Sequence, residues 1–589
     1  MSTGSTVALA GFALVAVVRA LTLPKSLWEL DEVLFARGVE RFDPLGHRPH
    51  PPGYPLLVAL GKLLNLVFHD PFISLVALSF VSSLVGYGAL VAAFRRIAGG
   101  AAGERVAVIG ALLFLLSPVM LVQGPLPMSD PPALMFIALA LWAAVCLAEA
   151  GSARAAWALG ACASAAIGCR PQLAMAVLPM LAAALWQAPT WRRRGEAVAA
   201  FTLVSLLWFA PLVAATGGLE RFLDYQARQA SYVAAHDATS SRTVSRARVF
   251  AIFVGHPWGA RWLSLPVLLA ALAGGAGLLR FRRKTVLPLA VLSGAQLAVC
   301  LLVMDPADGV RYALPAVLGI AFAAAVGFEA VAGLWRLPAL VWVFTACALA
   351  ASAAYAWPVL RVRSATPSPP AQAVAWVERH QTAKTMFLVE HEMEAHASYL
   401  LAGHDLAPVD EGLRRAARRP RAPLYLFSEG ESGWPGAVTF RWPDSDAYRR
   451  LTRNHYRVVS LSPIPKGQRF LIVRGIHGWE PTNREARWRW MDADAALRIF
   501  PRGTCRTVAL KLGLDPAFPF PSNSVTVSVD GTPAATVEVP RGTGRTVELT
   551  IPHTGAVEIA FRSARSFVPS GRDGRRLAVQ LLAVERIHR

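Results

Sequence analysis

The chain has 589 residues, of which 54% are hydrophobic and 16% charged, and its mean hydropathy is +0.42. One water-soluble core cannot absorb that much apolar surface, so composition excludes an ordinary soluble enzyme and indicates an integral membrane protein. The formal net charge of +21 does not argue for nucleic acid, because the basic residues are scattered over connections and tail without a nucleic-acid fold motif. Anionic lipid is the partner they suit.

From the N-terminus onward, charge-poor stretches near the length needed to cross a hydrocarbon core of ~30 Å fall at 6–23, 72–94, 106–122, 131–149, 155–168, 172–187, 197–216, 263–279, 286–304, 313–333 and 337–357. About eleven transmembrane helices are therefore predicted. The first is read as a retained helix, since it lacks a basic leader and a small-x-small cleavage site. Arg19, near its outer end, reads as a snorkelling side chain or as a partner for a phosphate or for Asp31. With the N-terminus inside, the connections carrying Arg95, Arg96 and Arg105, then Arg154, Arg192 to Arg194, Arg280 with Arg282 to Lys284, and Arg336 are cytoplasmic by the positive-inside rule. The loop with Asp31, Pro125–Asp130, Gly168–Gln172, Gly217–Arg261 and Asp305–Tyr312 then face the other side, together with everything after about residue 358.

The membrane domain is expected over 1–360, and 361–370, rich in Pro and Ser, reads as a linker. Residues 371–474 mix helix and strand signals and read as a soluble α/β domain. From 475 to 589, period-two runs such as Ser524 to Val529 and Ala535 to Val539, separated by Asp530-Gly531 and Gly542 to Gly544, predict hairpins and a C-terminal β-sandwich. Five of the six cysteines lie in or beside apolar helices. The tail has only Cys505, so no disulfide is expected there, and no Cys/His spacing suits zinc.

The outer face collects an unusual set of groups. Asp31 and Glu32 directly follow the first span, His50 and Tyr54 precede a helical stretch through Phe68 that is too polar to cross, and Ser129-Asp130, Arg170-Pro171-Gln172 and Arg311-Tyr312 lie in later outer loops. A guanidinium holds phosphate with a planar fork of donors and keeps its charge in a partly apolar site, while a carboxylate beside it can take the proton of an incoming hydroxyl. That combination fits a substrate with a membrane-embedded tail and a phosphate at the interface. Each group also has a structural reading. Asp130 suits the N-cap of the helix opening at Pro131-Pro132, Arg170 suits a snorkelling anchor, and Arg311 has Asp305 and Asp308 nearby as surface partners. The prolines after His50 can fix the entry of the next helix. Arg228, in the long outer loop 217–262, is either an acceptor contact or part of a solvated helix.

These residues resemble the C-type glycosyltransferases, multi-span enzymes that use polyprenyl-phosphate sugars, and within them the protein O-mannosyltransferase, aminoarabinose transferase and galacturonic acid transferase group. The resemblance covers roughly residues 5–335. It is carried by Leu30-Asp31-Glu32 with Ala36-Arg37, by His50-Pro-Pro-Gly-Tyr54-Pro55, by Met128-Ser129-Asp130, by Gly168-Cys-Arg170-Pro-Gln172 and by Val310-Arg311-Tyr312-Ala-Leu-Pro315. It implies a polyprenyl-phosphate sugar donor and a hydroxyl acceptor on a lipid, glycan or protein. It also implies Asp31 as general base with Glu32 second, and Arg170, Arg311 and His50 at the donor phosphate. Tyr54, Tyr312 and Arg228 are further candidates for substrate contact. Asp130 is a second acidic candidate that, with Asp31 and Glu32, would hold Mg or Mn if the three converge, although some relatives act without a metal. The expected location is a bacterial inner membrane with the site and tail periplasmic. In the tail, Gly475-Ile-His-Gly478-Trp479-Glu480 with Arg487-Trp488-Arg489-Trp490, and the segment from Phe567 to Leu577, resemble a sandwich module accompanying some glycosyltransferases. There Trp488 and Trp490 are expected in the core or on a sugar. A polytopic lipid or sugar transporter and a non-catalytic glycan-binding scaffold stay open as alternatives, the first disfavoured by spans nearly free of charge.

Overall fold

The computed structural model describes residues 3–100, 102–236, 244–278, 283–304, 309–381, 385–418, 422–432, 436–453, 455–464, 469–480, 488–499, 507–552, 556–569 and 575–587. Two compact units form, one from Met1–Ser368 with Pro443–His455, the other from Pro369–Trp442 with Tyr456–Arg589.

The first unit is helical. Its elements are α1 (Thr3–Leu21), α2 (Leu30–Glu40), α3 (Pro55–Phe68), α4 (Pro71–Ala98), α5 (Gly103–Leu115), α6 (Pro118–Gln123), α7 (Asp130–Ala150), α8 (Ala153–Cys169), α9 (Ala174–Gln187), α10 (Trp191–Ala215), α11 (Leu219–His236), α12 (Arg246–Phe250), α13 (Arg261–Leu278), α14 (Arg283–Leu302), α15 (Leu314–Leu334) and α16 (Leu340–Ala365). Among the described residues seven helices are long and apolar enough to cross a membrane: α4, α7, α10, α13, α14, α15 and the stretch opened by α16. Shorter apolar helices cover Ser5–Leu21, Pro55–Phe68, Ala153–Cys169 and Pro171–Gln187.

The predicted span 106–122 is broken in two. Leu116 and Ser117 leave the helix, and the Ser117 hydroxyl caps α6 by accepting from the Met120 amide at 3.4 Å, with Pro118 at the first helical position. Elsewhere the expected punctuation appears. Asp70 Oδ1 accepts from Ile73 N at 3.0 Å to start α4, and Gly99 at φ +61° ends it just after Arg95 and Arg96. Small residues let backbones touch: a Cβ on Gly160 would lie 1.9 Å from the Ala197 carbonyl oxygen of α10, and one on Gly274 would lie 1.9 Å from Ala323 O of α15. Side chains larger than glycine would drive those helices apart.

Arg19 does not snorkel. It is fully buried, donating from Nε to Ser83 Oγ at 3.1 Å and from Nη2 to Leu115 O at 2.8 Å, so it ties α1 to α4 and α5 and takes no part with Asp31. Residues Arg280 and Arg282, like Asp305, Asp308, Arg487 and Cys505, lie outside the described residues.

The second unit carries two sheets. In the first, β1 (Met386–Val389), β2 (Asp405–Pro408) and β3 (Leu424–Glu429) run parallel, and β4 (Val438–Arg441) and β5 (Val458–Pro463) complete the order β2-β1-β3-β5-β4. Three boundaries differ from those expected: Pro443–His455 of the segment 371–474 belongs to the helical unit, residues 471–474 already belong to the strand Leu471–Glu480 of the second sheet, and the expected linker 361–370 is helical up to Ala365. The second sheet has eight strands, β6 (Leu471–Glu480), β7 (Trp488–Ile499), β8 (Thr507–Gly513), β9 (Ser522–Val529), β10 (Thr532–Pro540), β11 (Gly544–Thr550), β12 (Val557–Ser563) and β13 (Val579–Ile587). They are hydrogen-bonded continuously in the order β10-β9-β12-β7-β13-β8-β11, with β6 on β7, so the faces of the β-rich domain are joined through one sheet. Alternate residues such as Val525, Val527, Leu510, Leu512, Ile559 and Leu581 fill its core. Trp490 is buried there with its ring 6.0 Å from Phe567, which answers the question of its role in favour of the core.

Candidate active site

The site begins where the chain leaves α1. Glu29 has extended backbone and serves as N-cap of α2, and Glu32, at the third helical position, reaches back so that its Oε2 accepts from the Trp28 amide at 2.7 Å. This is the logic of a capping box, in which an acidic side chain in the first turn satisfies a backbone donor outside the helix. Asp31, expected in a loop, therefore lies in the first turn of a short helix and is buried. Glu32 is fully buried, with Oε2 spent on this capping bond. Burial, reinforced by Glu29, pushes the Glu32 carboxyl up to about 8.

Asp31 has a neighbour at each oxygen. Its Oδ2 accepts from Arg311 Nη2, and its Oδ1 lies 3.8 Å from His50 Nε2. Burial alone would raise the Asp31 carboxyl, but the Arg311 guanidinium, with Arg453 and His50, outweighs it and holds the group well below the usual carboxylate range. Burial lowers His50 to about 4, leaving a neutral ring at neutral pH. The ring also has a hydrogen-bonding neighbour. Its Nε2 lies 3.1 Å from the Tyr54 hydroxyl, which also accepts from Gln172 Nε2 at 2.6 Å. Tyr54 itself sits at φ +44°, a left-handed turn that ends the Pro-Pro-Gly segment and starts α3.

A second buried pair stands beside the first. Asp130 Oδ2 lies 2.6 Å from Arg170 Nη1, both side chains are about 5% exposed, and Arg170 Nη1 also donates to Ser129 Oγ at 3.1 Å. Asp130 makes this ion pair and does not cap: the N-cap position is Ser129, and no side chain caps α7. Pro171 ends α8 and fixes Arg170 at the break, which accounts for its inward direction. The snorkelling reading of Arg170 is therefore replaced. Arg311 likewise pairs with Asp31. It is delivered by the tight turn Val310–Ala313, which Gly309 at φ +93° makes possible.

Tyr312 joins the two pairs. The Arg170 and Arg311 guanidinium carbons lie 5.1 and 5.6 Å from its ring centroid. Its hydroxyl accepts from Arg453 Nη2 at 3.3 Å. Arg453 and Glu29 escaped the sequence reading. Arg453 follows the short helix α20 (Asp446–Leu451) in Pro443–His455, a segment with no apolar pattern to link it to the membrane helices, fixed there by Gln123 Nε2 donating to Leu451 O at 2.8 Å and by Tyr355 donating to Asp446 at 2.8 Å. The only signal was the density of Arg and Asp between 444 and 453. The stretches α17 (Pro369–His380), α18 (Glu394–Leu400) and α19 (Val409–Arg418), by contrast, belong to the other unit.

Glu29, Gln123, Gly309, Arg311, Leu451, Thr452 and Arg453 line a small, partly open cavity of about 10 Å³, room for about one water. Arg228 is not brought to it: Arg228 is exposed on α11 and pairs with Asp224 one turn back at 2.7 Å. As for a metal, no three His, Cys, Asp or Glu side chains gather among the described residues. Asp31 is taken by Arg311, Asp130 by Arg170 and Glu32 by a backbone amide, so the acidic trio does not fit a shared Mg or Mn ion.

The dolichyl-phosphate-mannose-protein mannosyltransferase family profile matches residues 49–214, which include His50, Tyr54, Asp130, Arg170 and Gln172. The structure is similar to that of ArnT from Cupriavidus metallidurans bound to undecaprenyl phosphate, with TM-score 0.52 at 15% identity over 78% of this chain and 98% of that one. It is also similar to the apo oligosaccharyltransferase of Archaeoglobus fulgidus, with TM-score 0.50 at 10% identity over 99% and 97%. No curated protein matches by sequence. At these identities the likeness is one of fold, and that fold is the C-type fold of multi-span glycosyltransferases expected from the motifs.

Proposed function

We propose that this multi-span membrane protein is an inverting glycosyltransferase that moves a sugar from a polyprenyl-phosphate donor to a hydroxyl on a lipid, glycan or protein. The observation that carries the reading is the meeting of two buried carboxylate–guanidinium pairs, Asp31–Arg311 and Asp130–Arg170, around one Tyr312 ring. Buried charges are costly to hold, and clusters of them gather at functional sites. The C-type fold and the partial family match support a lipid-phosphate-linked donor.

In this reading the polyprenyl chain lies in the bilayer, and its phosphate meets the guanidinium groups of Arg311 and Arg453 at the cavity. Arg170 adds charge from the far side of Tyr312. The acceptor hydroxyl attacks the anomeric carbon in line as the carbon–oxygen bond to phosphate breaks, so configuration inverts. Asp31 takes the hydroxyl proton, and the electron pair leaves with the polyprenyl phosphate, where fixed cations stabilise the growing charge. His50 and Tyr54 orient Asp31 and the acceptor. The positive charge is supplied by guanidinium groups, and no step needs a metal. The sidedness of the arginine-bearing connections supports a periplasmic site in a bacterial inner membrane.

Purified protein reconstituted in liposomes with radiolabelled polyprenyl-phosphate sugars, hexosyl and pentosyl, and membrane-extracted acceptors tests the reading. Transfer with inverted anomeric configuration is expected from at least one donor. Retention of configuration, or turnover of nucleotide sugars alone, would refute it.

A further inference from the structure

Arg311 has two employers. One edge of its guanidinium, Nη2, donates to Asp31 Oδ2, and the same side chain lines the cavity that also holds Arg453, Thr452, Gln123 and Glu29. Its Nε is buried without a hydrogen-bond partner, and Nη1 finds only the sulfur of Met128 at 3.9 Å. A buried guanidinium that lines a cavity and still has unspent donors is set to take a second anion. Asp130 and Arg170 are arranged differently. Arg170 is fixed by Ser129 as well, and neither residue lines the cavity.

As it stands, the Asp31 carboxylate is a poor proton acceptor, since a base tied to a buried guanidinium gives up most of its basicity. The groups facing it are Arg311, Arg453, His50, Glu29 and Tyr54. Of these, Arg311 makes the direct bond, and His50 is neutral and 3.8 Å away. If Arg311 turns its fork to a phosphate in the cavity, Asp31 is left beside a neutral His50 at 3.8 Å and loses its direct ion pair.

We propose that the donor phosphate takes Arg311 from Asp31, so that the base is masked in the empty site and unmasked only when a lipid phosphate is bound. This rests on the function proposed above and adds an order to it: donor first, then proton removal from the acceptor. Arg311 is then a phosphate ligand and, toward Asp31, a positioning residue. Masking also keeps the base from activating water in the absence of donor.

The test is an infrared titration of the full chain in lipid nanodiscs, with and without saturating undecaprenyl phosphate, using Asp31→Asn to identify the protonated-carboxyl band of Asp31. Binding of the lipid phosphate is measured separately on the same sample. Bound lipid phosphate should shift the Asp31 titration upward by about 1–3 pH units, the size of an opposite charge removed from contact. Arg311→Gln should show the raised titration without any lipid, and Arg311→Lys should lie between. If lipid phosphate binds and the Asp31 titration does not move, the masking is wrong while the proposed function stands. If lipid phosphate does not bind, both fall. The wild-type comparison alone decides the matter if Arg311→Gln fails to fold.

Discussion

Arg453 Nη2 donates to the Tyr312 hydroxyl at 3.3 Å across 141 residues of sequence. A segment from residues 443–455 thus completes a site built by α2 and by the turn before α15. Arg453 is half-buried and stands on a short polar stretch, so its loss should spare the fold. A hydrogen bond to a charged group is worth about 1.5–3 kcal/mol. Arg453→Ala should therefore weaken lipid-phosphate binding about tenfold to a hundredfold, read by titration of the labelled donor.

Arg170→Ala should act mainly on stability. It leaves Asp130 as an uncompensated buried charge, and breaking a buried pair by removing one partner costs about 3–5 kcal/mol. The double variant Arg170→Ala with Asp130→Ala removes the orphan charge and should regain part of that loss. Thermal unfolding of the two variants in one detergent compares them. Equal melting temperatures would show that Asp130 was not the source.

Glu32 gives a pH prediction of definite sign. Its folded carboxyl lies at about 8 against an ordinary 4.5, so the folded state binds the proton more tightly. Stability should then fall as pH rises through that window, because the folded protein holds more protons than the unfolded one. Glu32→Gln keeps an oxygen for the Trp28 amide and removes the titration, so its stability should stay flatter across the same window. Glu32→Ala loses the acceptor and should cost about 1 kcal/mol at every pH. Melting temperatures from pH 5 to 8.5 distinguish the three proteins.

Much of the helical architecture was legible because it rests on one rule, that a bilayer demands long apolar helices with charge at their ends. The rule failed where length was short or a polar cap intervened. Ser117 breaks a span whose composition is uniformly apolar, and α3, at 14 residues, covers only about 21 Å. Asp31, Arg170 and Arg311 stood out because charge beside an apolar helix has few idle explanations. Their pairing did not, since it depends on which loops converge. Arg19 misled for the same reason: a charge near a helix end looks like a snorkeller until Ser83 and the Leu115 carbonyl are seen to receive it. Arg453 was invisible because nothing in a polar surface-like segment says that it returns to the membrane helices.

The most direct measurement is single-turnover transfer from a saturating polyprenyl-phosphate sugar by the wild type and by Asp31→Asn, each shown to be folded and to bind donor. Asn is the same size and keeps the His50 neighbour but cannot take a proton. A loss of about 10²–10⁴-fold in the chemical step, with donor binding retained, is the predicted result for a positioned general base. An Asp31→Asn protein that transfers sugar at the wild-type rate would contradict the account at its centre.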